Sequence, residues 1–209
     1  MPSRRTQAER SAATRALLLA AARPLFAARG YAAVGTEEVV RAAGVTRGAL
    51  YHQFAGKEEL FAAVFEQVEA ELAEGIGLAL GGADPGAGPS DPLAALRAGI
   101  DAWLDAVDDP EVQRIVLLDA PAVLGWARWR EVALRYAGGM VEAVLRAAMD
   151  AGQLAERPVE PLAHVLLGAL DEAALYVAGA ADRAGARAAV QEALEAMLAG
   201  LGDERRRAG

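Results

Sequence analysis

Residues 44–54 read GVTRGALYHQF. Besides the Thr46 hydroxyl, four of these side chains, Arg47, Tyr51, His52 and Gln53, can donate hydrogen bonds, and they stand beside Gly48 and Ala49, which have almost no side chain. The combination suits non-covalent reading of a polyanion. A guanidinium grips a guanine edge or a phosphate, Tyr51 and His52 suit phosphate oxygens, and small residues let a helix axis approach base edges, with the Ala49 methyl against a thymine methyl. Catalysis is poorly served. The chain has no cysteine and only two histidines, His52 and His164, far apart in sequence, so no thiolate or paired-imidazole metal set is available. It also lacks an HExxH, a G-x-S-x-G and a phosphate loop ending in Lys-Ser/Thr. The expectation is no enzyme, no metal and no cofactor.

The elements around this stretch must hold it in place. On a wheel of about 100° per residue, Leu50 and Phe54 share one face, and with Val45 they pack on Val39, Val40 and Ala43 of the preceding helix. Gly48, Ala49, His52 and Gln53 face outward, with Tyr51 at the margin and Arg47 at the N-terminal end. A helix this short persists only when docked. Thr36 is expected to cap the preceding helix and Thr46 the short one, with Gly44 as the left-handed residue between them. Two helices joined by a tight glycine turn form a helix-turn-helix, whose second helix enters the DNA major groove. The expected DNA contacts are Thr36, Thr46, Arg47, Gly48, Ala49, Tyr51, His52 and Lys57, the last with the free N–H groups that open the fourth helix. The competing reading is an all-α dimeric adaptor or enzyme whose corner never meets DNA.

Charge distribution favours the first reading. The net charge is −8, yet residues 1–57 hold eight Arg and one Lys against three acids, a net of +6, which leaves −14 for the remainder. A basic head on an acidic body fits a polyanion ligand, here double-stranded DNA. The absence of cysteine is natural in a reducing compartment and points to the cytoplasm. The basic start followed by ALLLAAA imitates a secretory signal, but Glu9 and Arg23 interrupt it, and Leu17, Ala21 and Leu25 at helical spacing make an amphipathic helix. The most apolar stretch, residues 161–181, carries Asp171 and Glu172 at its centre, so no membrane span is expected.

Apolar periodicity is helical nearly throughout, so the fold class is all-α: a three-helix head over residues 1–56, and a larger helical domain over 57–209 opened by the helix from Lys57. Further helices are expected at about 11–29, bent at Pro24, and at 57–80, 92–107, 111–118, 126–151, 160–179 and 185–201. The sequence GGADPGAGPSDP, residues 81–92, is expected as a mobile loop. The helix over 160–179 is apolar nearly all round, with Leu167, Ala174 and Ala178 opposite its main face, so it needs cover on two sides. One cover is its own domain; the other is a second copy of the chain. Leu162, Leu166, Leu170, Val190, Leu194, Met197 and Leu201 are the candidate contacts of a four-helix homodimer bundle. A small-molecule effector would sit among Trp103, Asp119, Trp126, Trp129, Tyr136, His164 and Asp171, aromatic surfaces with a few polar groups.

Residues 25–64, LFAARGYAAVGTEEVVRAAGVTRGALYHQFAGKEELFAAV, resemble the DNA-binding domain of the TetR family of bacterial transcriptional regulators. The resemblance rests on Phe26, Gly30, Thr36, Gly44, Val45, Tyr51, Phe54, Lys57, Glu58 and Leu60. It implies a ligand-responsive homodimer, most often a repressor on a palindromic operator, with an effector pocket in the C-terminal domain and the last two helices at the dimer contact. By position it carries DNA contact over to Thr36, Arg47, Ala49, Tyr51, His52 and Lys57. Pro24 departs from the family pattern and bears on the angle of the first helix.

Overall fold

The computed structural model describes residues 7–81 and 91–202, all in helices and short connections. The loop read at residues 81–92 lies almost wholly outside the described residues. In chain order the elements are α1 (Gln7–Ala33), α2 (Thr36–Ala43), α3 (Arg47–Gln53), α4 (Lys57–Gly81), α5 (Pro92–Ala106), α6 (Pro110–Val112), a π-helical segment (Gln113–Asp119), α7 (Ala120–Ala133), a second π-helical segment (Leu134–Gly138), α8 (Gly139–Asp150), α9 (Val159–Gly179) and α10 (Arg183–Gly202). The fold is all-α, as expected. Among the described residues two compact units divide it, one from the stretch up to residue 69 with 110–129, the other from 70–109 with the stretch from 130 onward.

The first unit is built on phenylalanines. Leu18, Ala22 and Phe26 of α1 are buried, and Phe26 meets Phe61 of α4 edge-on with ring centres 5.2 Å apart. This corrects the reading of α1 by one position. Leu17 is exposed while Leu18 is buried, because a step of one residue turns the side chain by about 100° around the axis. The α4 stripe holds as read for Leu60, Phe61, Val64, Phe65 and Val68, all buried. The backbone of α1 leaves helical geometry at Gly30 (φ 76°, ψ 161°) rather than at Pro24. The Tyr31 N–H that follows donates to Asp119 Oδ2 at 2.7 Å. At the start of α6, Glu111 accepts twice from Arg23, at 2.9 and 2.7 Å. Two carboxylates thus hold the 110–119 segment against α1. The helix read at 111–118 exists, but most of it is π-helical, with i→i+5 hydrogen bonds that apolar periodicity does not encode.

In the second unit α5, α8 and α9 enclose a core that includes Leu96, Ile100, Trp103, Leu104, Val144, Leu145, Leu166, Leu170 and Val177. Gly99 lets α5 close on the end of α4, since a Cβ there would lie 2.5 Å from Leu80 Cδ2. The helix read at 126–151 begins where expected, because Gly125 (φ 77°, ψ 156°) breaks helical geometry inside α7 just before Trp126, but it is interrupted by the second π segment. Leu166, Leu170 and Leu194, read as partner-facing, are buried within this unit, and so is Ala174. The apolar side chains left exposed on α9 and α10 are Val165, Leu175, Tyr176 and Met197; Leu162, Val190 and Leu201 are half-buried. The reason is again register, because a helix with apolar residues on both flanks does not declare which flank its own domain covers. By length and composition α9 alone among the described residues could cross a membrane, but Asp171 at its centre pairs with Arg130 of the same unit.

Candidate nucleic-acid interface

Gly44 closes α2 in the left-handed conformation (φ 66°, ψ 28°), and the Val45 N–H reaches back to Val40 O at 3.2 Å, so the chain reverses without a loose loop. Thr46 then caps α3, its Oγ1 accepting from Ala49 N at 3.2 Å. An accepting hydroxyl keeps its proton for an outside acceptor. Thr36 corrects the reading of its role. It is the first helical residue of α2, and the cap position belongs to Gly35, which has no side chain to bond with. The Thr36 hydroxyl is not engaged in capping and remains on the flank where the sequence placed a backbone contact.

Leu50 and Phe54 are buried, and α3 packs on α1 and α2. Arg15 lies over the Phe54 ring, 4.4 Å from its centre. Outward stand Arg47, Gly48, Tyr51 and His52, all exposed, with Ala49 half-buried. Arg47 and Tyr51 are neighbours, the guanidinium carbon 5.5 Å from the ring centre. Gly48 has no role in packing this chain, since an added Cβ would meet only Thr46 Oγ1 at 3.9 Å. Lys57 stands at the start of α4 with its Nζ 4.0 Å from the centre of the Tyr31 ring. Partial burial lowers its pKa below the usual lysine value, and the nearby Asp119 carboxylate opposes that shift.

Sequence reasoning missed three features of this surface. Glu37 pairs with Arg47, Tyr31 supports Lys57, and Ser11 of α1 accepts a hydrogen bond from Gln53. Each joins residues from different helices, and periodicity carries no signal for them.

The candidate effector residues fall in both units. Asp119, Trp126 and Trp129 belong to the first, where Trp129 is buried and donates to Val116 O at 3.0 Å while Trp126 is 67% exposed. Trp103, Tyr136, His164 and Asp171 belong to the second. There Trp103 donates to Leu170 O at 3.1 Å, Tyr136 is half-buried and His164 is exposed. Arg130 bonds Asp171 Oδ2 at 2.6 Å and His164 O at 2.8 Å. Burial pushes the Asp171 carboxyl up to about 6, and the attraction of Arg130 offsets this only in part.

A docked seven-residue helix with a small-residue face, capped by threonine and flanked by cations, defines a helix-turn-helix DNA-binding protein. Residues 18–64 match the family described as bacterial regulatory proteins, tetR family, and residues 93–201 match the tetracyclin repressor-like C-terminal domain. The chain belongs to the TetR family and is a DNA-binding transcriptional regulator. It is similar to the crystal structure of a TetR-family transcriptional regulator from Pectobacterium atrosepticum, at 37% identity and a TM-score of 0.78, over 94% of this chain and 97% of that one. The Transposon Tn10 TetC protein of Escherichia coli is 27% identical over 80% of this chain and 82% of its own length. The HTH-type transcriptional regulator CymR of Pseudomonas putida is 45% identical over 73 residues, 36% of its length.

Proposed function

We propose that the chain is a homodimeric, effector-responsive repressor that binds a palindromic operator. The observation that carries this reading is the outward set of α3: Gly48 and Ala49 give clearance at base edges, Arg47 reads a base, and Tyr51, His52, Thr46, Thr36 and Lys57 hold phosphates on either side. Two copies related by a twofold axis would place two recognition helices in successive major grooves, about 34–36 Å apart. The dimer contact is assigned to the outer faces of α9 and α10, where Val165, Tyr176 and Met197 are exposed.

The effector is assigned to the second unit, where Trp103, Tyr136, His164 and Asp171 combine aromatic surface with a polar centre. Its binding would favour a subunit arrangement in which the two recognition helices no longer match the groove spacing, with α4, which runs from one unit into the other, as the carrier of the change. Footprinting on the DNA flanking the gene for this protein, with and without candidate small molecules, tests the reading. A twofold-symmetric protected site is expected, released by an effector. Absence of preference for any duplex overturns it.

A further inference from the structure

Beside the recognition helix, the first two turns of α1 and the flank of α3 enclose an open cleft of about 330 Å³. Gln7, Arg10 and Ser11 line it from α1, and Ala49, His52 and Gln53 from α3; none of its described lining residues is acidic. We propose that this cleft is a phosphate clasp, taking one DNA backbone phosphate outside the bases read by α3, with Arg10 supplying the charge and Ser11 and His52 the hydrogen bonds. The inference rests on the operator-binding reading above.

Three observations carry it. Arg10 is exposed and enters no ion pair among the described residues. Elsewhere in the head Arg23, Arg29 and Arg47 are held by Glu111, Glu38 and Glu37. An unpaired guanidinium beside a donor-lined cleft gains the full benefit of neutralising a phosphate, including release of the condensed counterion. The second observation concerns Ser11. Gln53 Nε2 donates to Ser11 Oγ at 2.7 Å, so the serine acts as acceptor within the protein and keeps its proton for an anion. Thr14, also on this face, instead donates to Arg10 O at 3.0 Å and has no proton to offer. Third, Ala49 and His52 belong both to the cleft and to the outward face of α3, so a duplex seated on that face carries a strand past Arg10. The Ser11 to Gln53 bond ties the clasp to α3, so a captured phosphate sets the angle at which that helix enters the groove. The contact positions the protein and reads no base.

The test uses the full-length protein and the operator duplex defined by footprinting, with Kd measured over a series of salt concentrations. Arg10→Ala is expected to weaken operator binding about tenfold at low salt and to lower the slope of log Kd against log salt by about 1. Mismatched operators should lose the same factor, and Arg10→Lys should keep the slope. Ethylation of one phosphate flanking each half-site should impair the parent and leave Arg10→Ala unaffected. Should Arg10→Ala alter the melting temperature, Arg10→Gln repeats the measurement. A slope equal to that of the parent, in a protein that still binds its operator, overturns the clasp. Failure of the parent itself to bind any duplex overturns the operator reading instead.

Discussion

Arg47 Nη1 lies 3.0 Å from Glu37 Oε1, with both side chains about two-thirds exposed. The residue proposed to read a base is therefore held by a carboxylate of the neighbouring helix. An exposed pair of this kind contributes little to stability, about 0–1 kcal/mol, so a guanine or a phosphate can displace it. On the proposed operator-binding reading, Glu37 also places a negative charge beside the DNA. Glu37→Gln should tighten binding to every duplex several-fold and reduce discrimination. Arg47→Ala should relax preference at one base position, at a cost of about 1–3 kcal/mol on the preferred sequence. Selection from a randomised operator library checks both, and an unchanged sequence logo for Arg47→Ala would remove its assignment to a base.

Lys57 presents a different case because its partner is the Tyr31 ring. Its charge is not neutralised by that contact, so the ammonium stays available to a phosphate. Lys57→Ala should weaken specific and mismatched operators by a common factor and lower the salt slope by about 1. Tyr31→Leu removes the support and should produce part of the same loss with the lysine still present. Equal salt slopes for parent and Lys57→Ala would contradict the role.

Gly48 costs the fold something and returns nothing to it. Glycine within a helix is less favourable than alanine by about 1 kcal/mol, and the space beside Gly48 is open. Gly48→Ala should therefore raise the stability of the free protein by about 0.5–1 kcal/mol while weakening operator binding, because the new methyl occupies the clearance that base edges need. Urea unfolding and operator titration on the same preparation separate the effects. Gain on both counts would show that α3 does not approach the bases closely at this position.

The buried Arg130–Asp171 pair makes stability depend on pH. The Asp171 pKa in the folded chain is raised to about 6 from an ordinary 3.8, so the folded state binds the proton more tightly than the unfolded one. Its contribution is fully present below the unfolded value and is lost as pH rises through the folded one. Asp171→Asn removes this titration. The stability of the parent relative to Asp171→Asn should be greater at pH 5 than at pH 7.5, measured by denaturant unfolding at both. A difference independent of pH would mean that Asp171 is ionised throughout this range in the folded state.

Local signals determined much of this protein from the sequence alone. The glycine turn at Gly44, the threonine cap at Thr46 and the docked pair Leu50 and Phe54 all sit within one short stretch of chain, where capping chemistry and the 3.6-residue period act directly. Tertiary structure decided what periodicity leaves ambiguous. A helix apolar on two flanks does not say which flank meets its own core, so Leu17 and Leu18, or the leucines of α9, were separable only once the neighbouring helices were in place. The same holds for Glu37 on Arg47, Tyr31 under Lys57, Asp119 on Tyr31 and Ser11 on Gln53. These contacts join residues distant in sequence, and their geometry follows from the packing of whole helices rather than from any spacing along the chain.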